Sequence, residues 1–184
     1  NLVLSVRGRW SLLFGSGPLA FAAISVSFLF AVAMLDAIGA LASVKALIGG
    51  TSWEIGLFVW ATFGTFSFAA LAFTEHALPR LLRREWGGGP LASAQLWPVF
   101  SGAAIAGVAL MGGGLAEGSL RAQAASPEAL AAGTLWYMVV AFIGMSLVAL
   151  GALATLVNLF MAYTSGQPAH YAAPGSSAAT AAGH

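Results

Sequence analysis

Residues 130–163 read LAAGTLWYMVVAFIGMSLVALGALATLVNLFMAY, and no Asp, Glu, Lys or Arg interrupts them. An α-helix needs about 20 apolar residues to cross a hydrocarbon layer, so this run is a membrane span by itself. Working back towards the N-terminus, three more runs of that length appear, about 18–41, 53–78 and 95–115. Gly17-Pro18 is a helix-start signal for the first, whose only charge is Asp36. The second is crowded with Phe58, Trp60, Phe63, Phe66, Phe68 and Phe73 and is expected to stop at Pro79. The third is poor in bulky side chains and rich in Gly and Ala. No run alternates with period two, which argues against a transmembrane barrel. The expected fold is all-α, an integral membrane protein with four transmembrane helices in one domain over residues 1–164. The remaining 165–184, made of Ala, Gly, Ser and Pro without periodicity, read as a tail unable to bury enough surface to fold alone.

Composition supports that class. Hydrophobic residues make up 59% of the 184 and charged ones 7%, with a mean hydropathy of +0.88. A net charge of +1 supplies no basic field for nucleic acid. Because the chain has no Cys, it offers neither disulfides nor thiolate metal sites nor a cysteine nucleophile. Gly87-Gly88-Gly89-Pro90 is a turn, for no Lys-Ser/Thr follows it as a phosphate loop requires. Opening at Asn1 without a leader, the sequence reads as a fragment or one piece of a split product.

Charge outside the spans is asymmetric. Arg7, Arg9, Arg80, Arg83 and Arg84 lie before the first span or between the second and third, whereas Lys45 and Arg121 occupy the other two loops. The positive-inside rule then puts both termini and the 79–94 loop on the cytoplasmic side of a bacterial-type inner membrane. Trp53, Trp86, Trp97 and Trp136 fall near span ends, as an interfacial aromatic belt does.

Ionisable residues near membrane depth are functional candidates by default. Asp36 lies close to the end of its span and Glu54 is second in its own, so interfacial solvation and the helix dipole account for both. Glu75 and His76 stand beside Pro79 and Arg80; pairing of Glu75 with Arg80 or Arg83 is the favoured reading, and proton uptake is the alternative. Met34, Met111, Met138, Met145 and Met161 lie singly and read as packing residues. In lipid, small residues let helices approach. Ala141, Gly144, Val148, Gly151 and Thr155 form such a seam on the fourth span, as do Ala103, Gly107 and Met111 on the third. These seams are expected to join helices within the chain and to dock other membrane subunits or lipid.

Several short segments taken in order carry a family resemblance: Arg7-Gly8-Arg9-Trp10, Ser43-Val44-Lys45-Ala46-Leu47, Thr51-Ser52-Trp53-Glu54-Ile55-Gly56, Leu78-Pro79-Arg80-Leu81 with Arg84-Glu85-Trp86, and Gln95-Leu96-Trp97. Residues 1–163 resemble the C-terminal third of subunit I of haem–copper oxidases, chiefly cbb-type cytochrome c oxidases and nitric oxide reductases. The resemblance makes the four spans similar to helices nine to twelve of that twelve-helix subunit. There the Thr-x-Trp-x-Ile/Val-Gly stretch is followed by His-x-His, whose imidazoles serve two haems; residues two apart sit about 200° apart around a helix. Here the two positions are Leu57 and Val59, and neither has a lone pair for iron. The family's His-Phe-Trp histidine is Gln95 here, and its copper ligands lie on helices preceding these four. His76 matches a His sometimes found before Leu-Pro in cbb-type sequences, without a second ligand at helical spacing.

The resemblance therefore implies no metal and no haem in this chain, with haem only in partner chains. The function expected is a non-catalytic structural subunit of a respiratory or electron-transfer complex. The alternative is the C-terminal piece of a split cytochrome oxidase or nitric oxide reductase catalytic subunit, expected to be inactive by itself but part of an oxidoreductase. A small transporter is disfavoured by the absence of visible broken helices and mid-span charges.

Overall fold

The computed structural model describes residues 17–82 and 90–165, and these are overwhelmingly helical. Helix α1 spans Gly17–Gly39 and a short α2 spans Ala42–Ile48. A continuous second span joins α3 (Ser52–Val59), a π-helical segment (Trp60–Phe66) and α4 (Ser67–Leu82). Two long helices complete the chain, α5 (Pro90–Ala122) and α6 (Pro127–Ser165). Among the described residues, four helices are long and apolar enough to cross a membrane: Gly17–Gly39, Ser52–Ala77, Ala94–Ala122 and Pro127–Met161. The chain is an all-α, multi-pass membrane protein. The tail beyond Ser165, the N-terminal segment with Arg7 and Arg9, and Arg83, Arg84 and Trp86 lie outside the described residues.

The helix starts follow from local chemistry. Thr51 caps α3 by accepting the Trp53 N–H on its side chain, with Glu54 three positions on, in the first turn. Ser126 accepts the Ala129 N–H and Pro127 opens α6, where a missing N–H costs nothing. Between α5 and α6, Ala124 adopts a φ of 53° and the Ala125 N–H reaches back to the Leu120 carbonyl, a left-handed helix end closed without glycine.

One proline expectation is corrected: the helix does not end at Pro79 but runs to Leu82. Helix α5 likewise carries a proline, Pro98, in its interior. Membrane helices accept proline where neighbours satisfy the freed backbone groups. The second span is also less regular than its composition suggests. Over the π segment the bonding widens from i+4 to i+5, and nearby hydroxyls take up carbonyls there. Ser25 Oγ donates to the Thr65 carbonyl at 2.8 Å across from α1, and Ser67 Oγ to the Thr62 carbonyl at 3.1 Å.

Helix α5 is the centre of the bundle, with more than half of its apolar window buried, and α6 packs almost entirely against it. The small-residue seam does this. A Cβ on Gly144 would stand 2.7 Å from the Ala106 nitrogen and 2.8 Å from the Gly102 carbonyl, and one on Gly151 would strike Val99. Ala103, Ala106, Ala141 and Val148 are buried along the same line. The seams are thus filled within the chain. What α6 turns outward is bulky instead: Trp136, Phe142, Leu150, Leu153 and Phe160 are all more than half exposed.

A second cluster joins α1 to the second span and α5. Phe28 meets the Trp60, Phe68 and Phe100 rings at 5.4, 6.3 and 5.9 Å between centroids. Gly64 in the π segment leaves room for the Phe28 ring, and Gly107 on α5 leaves room for the Trp60 indole, whose Nε1 donates to the Ala103 carbonyl. The aromatic residues of the second span divide between faces: Trp60, Phe63 and Phe68 turn inward, while Phe58, Phe66 and Phe73 face outward.

Candidate functional site

Polar chemistry collects at the two ends of the bundle. Near the start of α1, Glu75 from α4 meets Gln95 from α5 and Asn158 from α6. Gln95 Nε2 donates to Glu75 Oε1 at 2.6 Å, and Asn158 Nδ2 donates to Gln95 Oε1 at 3.3 Å. The other Glu75 oxygen lies against Gly17, where a Cβ would approach it to 2.5 Å. The opening turn of α1 therefore faces a carboxylate, which suits its positive end. All four spans converge on this group. Gln95 and Asn158 have no exposed surface, and Asn158 Oδ1 is a buried acceptor without a donor.

The favoured pairing of Glu75 with Arg80 is overturned. Arg80 Nη1 contacts His76 Nε2 at 2.5 Å on the exposed side of α4, one turn away, while Glu75 turns inward to Gln95. A guanidinium has only donors, so the imidazole nitrogen accepts. Arg83 lies outside the described residues. Sequence reasoning kept Gln95 only as a replaced histidine and passed over Asn158 and Glu117. The signal for the first two was present, since an amide inside an otherwise apolar span must find a partner across the bundle.

At the opposite end, Glu117 near the finish of α5 accepts the Ser52 N–H at 3.0 Å on Oε2, so a carboxylate from one helix caps another. Its second oxygen pairs with Arg121, which also donates to the Gly50 carbonyl at 3.1 Å. Gly50 itself needs its left-handed φ of 66° to turn the chain from α2 into α3. Beside this lattice lies a cleft of about 250 Å³ between α1, α2 and α3, lined by Asp36, Lys45, Trp53, Glu54 and Leu57 among others. Lys45 Nζ pairs with Glu54 Oε1 at 2.8 Å across its rim. Hydrogen bonding and attraction from Glu54, with a smaller push from Asp36, hold the Lys45 ammonium above the ordinary lysine range. Trp53 Nε1 is buried against Gly39 without an acceptor.

Leu57 and Val59 do diverge as two-residue spacing requires. Leu57 lines the cleft, and Val59 is buried among Ala106, Ala109, Leu110 and Ala141. Neither hydrocarbon side chain has a donor atom for iron. Among the described residues no three His, Asp or Glu side chains gather in a metal-binding group. No family model matches the sequence, and no curated protein matches it.

Proposed function

We propose that the chain is a non-catalytic structural subunit of a membrane electron-transfer assembly related to the haem–copper oxidases, with haem confined to its partner chains. The observation that carries the reading is Val59. The position that resembles a haem-ligand site is occupied by a side chain without a donor atom, already packed into the core beside Ala106 and Leu110. A bundle that closes over this position keeps the helical frame and gives up the redox chemistry. Docking falls to the outward bulk of α6 and to the row Phe58, Phe66 and Phe73, because the glycine seams are spent inside. On this reading the protein belongs to a bacterial-type cytoplasmic membrane with both termini inside, as the arginines before α1 and around residues 80–84 imply.

Extraction in mild detergent tests the proposal. Other membrane chains should co-purify, and the haem absorption of that complex should vanish from this chain once it is isolated. A haem spectrum from the isolated chain, or reduction of oxygen or nitric oxide by it unaided, would sink the reading and favour the split catalytic subunit.

A further inference from the structure

The cleft beside α2 combines depth, charge and volume in a way the packing does not use. Gly17 beside Glu75 and Gly39 beside Trp53 bound α1, whose 23 residues cover about 33 Å. That matches a hydrocarbon layer of about 30 Å, so the cleft opens at the depth of lipid headgroups on the face opposite Glu75. Two carboxylates, Asp36 and Glu54, surround one ammonium, Lys45. Glu54 takes one Lys45 donor at 2.8 Å, leaving two more, whereas Asp36 is exposed and has no cation within bonding reach among the described residues. The space of about 250 Å³ is many times that of one ion or water and suits a group of about eight non-hydrogen atoms. Its lining includes the apolar Ile48 and Leu57, and the nearby Ile38 is exposed.

We propose that this cleft binds the phosphoethanolamine headgroup of a membrane phospholipid, with the primary ammonium on Asp36 and the phosphate on Lys45. The charge set selects for it. A zwitterion supplies the missing cation beside Asp36 and an anion for the spare Lys45 donors. A phosphocholine headgroup carries the same charges but has no N–H to give a carboxylate, and phosphoglycerol adds an anion without a cation. The acyl chains then run down the outward side of α1, past Ile38. This inference rests on the cleft alone and stands or falls independently of the electron-transfer reading.

Native mass spectrometry of the purified chain in neutral detergent tests it. Phosphatidylethanolamine, phosphatidylcholine and phosphatidylglycerol with identical acyl chains are offered in equal amounts. The ethanolamine lipid should be retained over the choline lipid about threefold or more, the scale of one exposed ion pair. Asp36→Asn, at an exposed position, should level the two. Lys45→Gln should lower retention of both, and Glu128→Gln, on an exposed carboxylate outside the cleft, should change neither. Equal retention of the two lipids by the unaltered chain overturns the proposal. So does a preference that survives Asp36→Asn, or strongest retention of the glycerol lipid.

Discussion

Single positions in this bundle are constrained by two different physical limits, space and backbone angle, and substitutions separate them. Gly144 fails on space: its missing Cβ faces backbone atoms of Gly102 and Ala106, which cannot rotate away. Gly144→Ala should cost about 1–3 kcal/mol by overpacking, and Gly144→Leu more, read as loss of thermal stability in detergent. Gly50 has open space and fails on angle. There Ala should cost roughly 1 kcal/mol and Asn less, since Asn tolerates the left-handed region. The converse holds at Ala124, which adopts that region without being glycine. Ala124→Gly should raise stability by up to about 1 kcal/mol, and a lower melting temperature would contradict the strain argument. In the buried amide chain, Gln95→Leu strands two groups, Glu75 and Asn158, whereas Asn158→Leu strands only the Gln95 oxygen and removes an acceptor that had no donor. The first should therefore destabilise more, by about 1–3 kcal/mol. The small-residue spacing made Gly144 and Gly151 legible in the sequence. Nothing local tied Gln95 to Asn158, because 63 residues separate them and only helix register brings them together.

At the scale of elements, hydropathy was enough to find every span, and it was blind to what interrupts them. The π segment from Trp60 to Phe66 has the same apolar and aromatic make-up as its flanks, so a wider turn leaves no mark in composition. Its carbonyls are served by side chains, and Ser25 from α1 is the one that reaches across. Ser25→Ala should cost about 0.6 kcal/mol, the average for a hydrogen bond between membrane helices, and should raise amide exchange around Thr65. No change at either readout would mean that the widened turn holds itself open. Pro79 misled for a related reason: the rule that proline ends helices was learned in water, and α4 continues past it to Leu82. Glu75 was drawn inward by Gln95 instead of outward to Arg80, a choice that only the packing of α5 on α4 could decide.

Over the whole molecule, four spans return the chain to the end where it began, since Gly17, Glu75, Gln95 and Asn158 meet there. The chain has no native Cys, so single introduced thiols report sidedness cleanly. Thiols near Arg80 and beyond Ser165 should label from one side, and thiols near Lys45 and Arg121 from the other. Labelling of Arg80 and Arg121 positions from the same side would refute the four-span arrangement, and labelling near Arg80 only from outside the cell would invert the orientation proposed above.

The two longest helices overshoot the layer that the shorter ones measure. Beyond Gly114 and Tyr137, which stand level with Trp53 and Ser52, α5 and α6 continue side by side to the turn at Ala124. From Tyr137 back to Pro127 the extension is about 15 Å. This antiparallel pair is flanked by α2, with Gly118 against Leu47 and Arg121 donating to the Gly50 carbonyl, and it is tipped by the exposed residues Gln123 and Ala124. The tip is a handle: an epitope spliced between Ala124 and Ala125 is expected to be open to an antibody or a protease while the spans beneath it stay paired.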